Sequence, residues 1–343
     1  MSQAKRHSWI DILKIFACFL VIINHSHRHI ILAAGINSAT ALFDAILFPL
    51  CKSAVPLFAM ASGYLLLNVS NEHSIKKTLS RVARVAVPLL FFSVLYFFFA
   101  SDNSGGIIPF FKALLRDPLG THFWYLYMLL GLYFAVPFMA RAVKGAKNSE
   151  LAVFAAVFLL IPSVAKLTNV YFGINFSRYF EEGLLPVAIA YLVAGALLSR
   201  IKLSRLYLWL AVAIYALSIS GFALSIYLPY KERGFLNYDL DSWEALPVVL
   251  SSLCLFYIIR YIFENRPIGD KSAKIISEIS ATTFGIYIIH PYILMKMFGV
   301  SFFTAIFRFN FYLGALAIPL ICFAICLPVI WIAKKIPVIK RFI

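Results

Sequence analysis

Charge is scarce in this 343-residue chain. Only 13% of its residues are Asp, Glu, Lys or Arg, against about 25% in a soluble globular domain. Acids are scarcest, 15 beside 31 Lys and Arg. With 62% hydrophobic residues and a mean hydropathy of +0.87, the composition excludes a water-soluble globular domain. Cysteine is also sparse. Cys18, Cys51, Cys254, Cys322 and Cys326 all stand in apolar runs, where a thiol is a small hydrophobe. Their spacing gives no zinc motif and no disulfide framework, so no bound metal is expected. No linker, low-complexity tract or internal repeat interrupts the sequence. A single transmembrane domain over 1–343, with no appended soluble domain, is expected. Lys5 and Arg6 precede an apolar stretch as in a signal peptide. That stretch is too long for one, and the polar NHSHRH at 24–29 interrupts any cleavage pattern, so the first span is read as uncleaved.

What the chain has instead is a series of apolar runs of about 20 residues, the length a bilayer core of about 30 Å requires of a spanning helix. Ten spans are expected, near 9–32, 41–67, 82–100, 122–140, 151–171, 183–199, 206–228, 244–263, 280–298 and 311–333. The fold class is therefore all-α, a polytopic membrane protein of about ten transmembrane helices. The run 41–67 contains Pro49 and Pro56 and is long enough to kink. The charge of +16 could suggest nucleic acid, but the basic residues alternate with the spans. Segments 1–8, 68–81 with Arg84, 141–150, 200–205, 260–279 and 334–343 hold most of the Lys and Arg. That places the N- and C-termini in the cytoplasm and makes the basic balance a topology signal, with lipid as partner and no nucleic acid. The larger opposite loops are 101–121, which holds a candidate interfacial helix, 172–182 and 229–243. Their acids, Asp241 among them, read as solvated surface.

Titratable groups inside spans are costly, about 2.5–3.5 kcal/mol each on insertion scales, and face a bundle interior or a wet cavity. In DILKIFACFLVIINH, Lys14 and His25 are 11 residues apart, which puts them on one helix face about 16 Å apart along the axis. Asp11 lies near Lys14 and about 21 Å from His25, so it pairs with the lysine and cannot orient the histidine. Any partner of His25 must come from another span. Lys52 stands mid-span and needs a partner or water, while Ser62 and Gly63 after it suit close helix packing. Arg81 and Arg84 open the third span and suit a phosphate or a lipid headgroup. His122 heads the fourth, with Trp124 and Tyr125 as an interfacial belt. His290 lies deep in the ninth with Tyr287 one turn before it, and Pro291 frees a backbone carbonyl there.

Five stretches together resemble the acyltransferase-3 family of bacterial inner-membrane acyltransferases. WIDILKIFACFLVIINH is similar to W-x-D-x-L-R-x-x-A followed by apolar residues and His. KSAVPLFAMASGYLLL is similar to R-x-x-V-P-L-F-F-x-x-S-G-Y, and RVARVAVPLL follows. HFWYLYMLLGLYFAVPFM is similar to H-x-W-F-L, and GIYIIHPYIL to G-I-Y-x-x-H. They run in the family's order across residues 9–294. Lys14 and Lys52 stand where the family usually has Arg, keeping the charge without the bidentate fork. Within the family the chain looks most like stand-alone members of the enterobacterial common antigen O-acetyltransferase type.

The resemblance implies transfer of an acyl group, commonly acetyl, from cytoplasmic acyl-CoA to a hydroxyl of a cell-surface glycan or a lipid-linked sugar precursor. It implies no permanently bound cofactor; acyl-CoA is the donor substrate. Lys14, Arg81, Arg84 and Lys52 are then the expected donor-binding cations. His25 is the expected catalytic residue, as general base or as acyl carrier, with His290 and Tyr287 beside it. His122 and Trp124 are expected at the acceptor. Loops 172–182 and 229–243 are the expected sugar-docking segments. The alternative class is a proton-coupled transporter or flippase in which His25, Lys52 and His290 relay protons or bind a solute.

Overall fold

A computed structural model describes residues 8–69, 74–100, 106–116, 118–120, 122–174, 184–266 and 268–343. Among these residues there are helices and turns and no strand. The helices are α1 (Ser8–Ala34), α2 (Ser38–Lys52), α3 (Ala54–Gly63), α4 (Ile75–Leu95), α5 (Ile107–Arg116), α6 (Trp124–Gly145) and α7 (Asn148–Phe172). They continue as α8 (Leu184–Arg200), α9 (Arg205–Arg233), α10 (Leu246–Phe263), α11 (Asp270–Phe298), α12 (Ser301–Phe309) and α13 (Phe311–Ala333). Each of the ten expected spans coincides with a helix, and 41–67 with both α2 and α3. Eight helical segments are long and apolar enough to cross a membrane. The other two are α8, at 17 residues, and α11, whose first half carries several charges.

The apolar run 41–67 breaks where its chemistry dictates. Pro56 has no amide to close on the carbonyl of Lys52, so α2 ends at Lys52 and α3 restarts after Ser53. α3 then widens into a π-helical turn over Tyr64–Val69. The amphipathic segment of loop 101–121 forms α5, which buries Phe110 and Leu114 against Phe97 while Ile107, Phe111 and Leu115 stay exposed.

α1 is the axis of the bundle. Trp9, Leu13 and Ala17 are buried against α3 and α10, with the Trp9 ring 5.0 Å from Tyr64 and 5.5 Å from Phe256. Its other side packs on α11 and α13 through Cys18, Ile22 and Ile30. α3 and α8 touch backbone to backbone. A Cβ on Gly63 would lie 1.8 Å from the Leu192 carbonyl oxygen, and one on Gly195 would lie 2.1 Å from that of Met60. Such contact requires glycine on both helices. α9 exposes Leu206, Trp209, Leu217 and Leu224 along its length, as a lipid-facing helix does.

Candidate active site

Two clefts enter the bundle from opposite ends of α1 and share one wall. The larger, about 1290 Å³, begins at Lys14 and is lined by Arg84 of α4, Tyr133 of α6 and Ser280 of α11, with Lys334, Lys340 and Arg341 after α13. No Asp or Glu side chain lines it among the described residues. The smaller, about 380 Å³, holds Asn24, His25, Lys52, Trp124, Asp241 and Trp243. Tyr287 lines both.

The sequence sets up this arrangement through helical periodicity. Ser280, Thr283, Tyr287 and His290 recur at three- and four-residue steps, so one face of α11 runs beside the Lys14–His25 face of α1. At the first cleft, Ser280 Oγ donates to Asp11 at 2.6 Å and accepts from Lys14 Nζ at 3.0 Å. Lys14 and Asp11 are 4.0 Å apart, so Asp11 serves the lysine as its spacing requires. Arg84 lines this cleft; Arg81 does not.

Behind Tyr287 three imidazoles converge. The His25 ring centre is 5.0 Å from that of His290 and 6.2 Å from that of His122, and the latter two are 5.7 Å apart. His25 thus finds its neighbours on α11 and in the turn before α6, as its distance from Asp11 demands. His290 is fully buried, and its Nδ1 donates to the Ile286 carbonyl at 3.1 Å. His122, in the turn before α6, donates from Nε2 to the Ile288 carbonyl at 3.1 Å. Because a carbonyl can only accept, these bonds fix which nitrogen carries hydrogen. In the neutral rings the lone pairs are left on His290 Nε2 and His122 Nδ1, buried atoms with no hydrogen-bond partner among the described residues. The Tyr287 hydroxyl donates to the backbone carbonyl of His122, so α11 grips this turn from two points. Two proton acceptors thus belong to the buried cluster that holds His25, and His25 lines the smaller cleft.

That cleft is finished by the segment between α9 and α10. Asp241 pairs with Lys52 at 2.5 Å, and the Lys52 ammonium sits 4.0 Å from the Phe48 ring centre. Trp243 meets Trp124 edge-on at 5.9 Å and packs on Tyr191, whose hydroxyl donates to the Trp243 carbonyl at 2.6 Å. The Tyr238 hydroxyl donates to Asp44, and the other Asp44 oxygen meets His27 Nδ1 at 3.1 Å. Burial and the neighbouring carboxylate raise the Tyr238 phenol above its ordinary pKa, which keeps it a donor.

Lys52 therefore departs from its expected grouping. It lines the cleft that holds His25 and Trp124, not the one that holds Lys14 and Arg84. Asp241 is likewise an ion-pair partner at a cleft rather than solvated surface. Loop 229–243 contributes Asp241 and Trp243, whereas 175–182 of the other expected docking loop lies outside the described residues. Asp44, Asp241, Trp243 and the cations after α13 are additions to the expected set. Asp44, an acid inside the apolar run ALFDAILF, meets the same cost criterion that singles out Lys52.

The family model for an acyltransferase domain, that of the acyltransferase-3 family, matches residues 7–334. The chain belongs to this family. No curated protein and no solved structure matches it. As an acyltransferase-3 member it is a multi-pass membrane acyltransferase, and the two clefts and three histidines are read with that chemistry. Acyl transfer needs a base or nucleophile between donor and acceptor; His25 lines the smaller cleft, and Tyr287, which lines both, has its ring centre 5.6 Å from that of His122 and 5.9 Å from that of His290.

Proposed function

We propose that this membrane acyltransferase takes an acyl group, acetyl in the simplest case, from acyl-CoA in the larger cleft. It delivers that group to a hydroxyl of a cell-surface glycan or lipid-linked sugar precursor in the smaller one. In this reading the protein sits in the bacterial inner membrane with both termini in the cytoplasm, so the Lys14 end faces the donor. The observation that carries it is Tyr287 lining both clefts, with His25, His122 and His290 beside it. The cation-lined cleft, with no Asp or Glu side chain in its lining among the described residues, suits a nucleotide diphosphate. The other cleft offers Trp124 and Trp243 for stacking on a sugar and the Lys52–Asp241 pair for its hydroxyls.

In the reaction His25 takes the proton of the acceptor hydroxyl as that oxygen attacks the thioester carbon. The C–S bond breaks, the ester C–O bond forms, and the proton is passed to the departing thiolate to give free CoA thiol. The His25→Ala protein, reconstituted and supplied with labelled acetyl-CoA, is expected to move no label to glycan while inserting at the parental level. Full glycan acetylation by that variant overturns the assignment. Label that stays on the parent protein when no acceptor is present makes His25 the acyl carrier instead of the base.

A further inference from the structure

Residues 334–343 fold back over the mouth of the larger cleft and are tied down at both ends. Lys334 Nζ donates to the Ala281 carbonyl of α11 at 2.5 Å. The Phe342 ring lies 4.4 Å from that of Phe91 on α4, with the planes 32° apart. Between these anchors a short 3-10 turn, Ile339–Arg341, holds Lys340 and Arg341 exposed at the cleft. Neither has a carboxylate partner among the described residues. Lys14 and Arg84 stand on the helices that wall the cleft, so its cations fall into two groups. Burial, and after it the nearby Lys340, lowers the Lys334 amine pKa. Both Lys340 and Arg341 fall beyond the 7–334 stretch that the family model matches.

Two cation groups on different elements of one cleft fit a ligand with two separated anionic groups. A coenzyme A thioester is such a ligand, with a diphosphate in its middle and a phosphate monoester on its ribose. We propose that Lys340 and Arg341 form a binding site for the ribose 3′-phosphate of the donor, while Lys14 and Arg84 face its diphosphate. This rests on the acyl-CoA reading above. The segment after α13 is then a specificity element: it distinguishes the full nucleotide thioester from a donor that lacks the terminal phosphate. An Arg beside a Lys supplies several charge-assisted donors to one phosphate, whose two negative charges demand them.

The test is equilibrium binding of labelled CoA and of labelled 3′-dephospho-CoA to the purified full chain in nanodiscs. The parent protein is expected to hold CoA about tenfold more tightly, the effect of one or two charge-assisted hydrogen bonds. In Lys340→Gln/Arg341→Gln the ratio of the two affinities falls towards one. If the double variant cannot be purified, Lys340→Glu and Arg341→Glu singly, at exposed positions, are expected to lower the same ratio. A ratio of one in the parent, or a parental ratio in the variants, overturns the phosphate site and leaves the acyl-CoA reading standing. Failure of the parent to bind either nucleotide removes both.

Discussion

Tyr287 does two things that pull in different directions. Its side chain lines both clefts, and its hydroxyl holds the backbone of the turn that carries His122. Tyr287→Phe keeps the ring and removes the donor, leaving a buried carbonyl without this partner. The expected result is a loss of about 1–3 kcal/mol in stability, read as a lower unfolding midpoint. A fall in turnover larger than any change in donor KM is also expected, because the His122 ring is then less well held. Unchanged stability and turnover would mean that the hydroxyl serves neither role. The histidines themselves show how much of a site one helix can reveal. Lys14 and His25 share a face because 11 residues is close to three turns, and that is readable from α1 alone. Their partners are not readable this way. His122 and His290 lie some 100 and 265 positions along the chain, and only packing of α1 against α11 and the turn before α6 brings them to His25.

At the scale of elements, the bilayer makes helices easy to find, since it fixes both their length and their hydrophobicity. All ten expected runs are helical for that reason. The same run 41–67 also shows where such reading stops. Pro56 announces a break, but which way Lys52 then points depends on α2 packing against α9 and on the segment after it. Lys52 consequently belongs with Asp241 and not with Lys14. The α3–α8 contact is a stricter case. Gly63 and Gly195 let two backbones meet where even a methyl group has no room. Gly63→Ala is expected to force these helices apart at a cost of about 1–3 kcal/mol, or more where the backbone cannot shift. A lower midpoint of thermal unfolding in detergent checks it, and a midpoint equal to the parent's would show that α3 and α8 separate freely. Glycan acetylation by that variant should fall with it, because Asn68 beyond this contact also ties α3 to α8 through the Ala196 carbonyl at 2.7 Å.

For the whole molecule, the distribution of basic residues carries two messages that composition alone superimposes. Most of the Lys and Arg fall in the alternate inter-span segments that the sequence assigns to one side of the membrane. A subset, Lys14, Arg84, Lys334, Lys340 and Arg341, also converges on one cleft. Nothing local separates the subset from the rest, because convergence is a property of how α1, α4 and the segment after α13 assemble. The contributions of Asp44 and Tyr238 are hidden similarly: a carboxylate in α2 anchors a segment nearly two hundred residues later.

The wall shared by the two clefts has a consequence for electrical balance. In the proposed reaction an acyl group passes outward across that wall, and the electron pair it leaves behind stays as thiolate on the inner side. If the hydroxyl proton escaped on the acceptor side, each turnover would separate one charge across the membrane. That would cost or release about 2.3 kcal/mol per 100 mV. In the proposed reaction His25 hands the proton on, with the unprotonated nitrogens of His122 and His290 buried in the same cluster, and its arrival on the thiolate cancels the charge. Transfer is therefore expected to be electroneutral. In proteoliposomes with acetyl-CoA on one side and acceptor on the other, an imposed potassium diffusion potential should leave the final extent of transfer unchanged. An extent that follows the potential would show that the proton leaves towards the acceptor and that the histidines do not carry it inward.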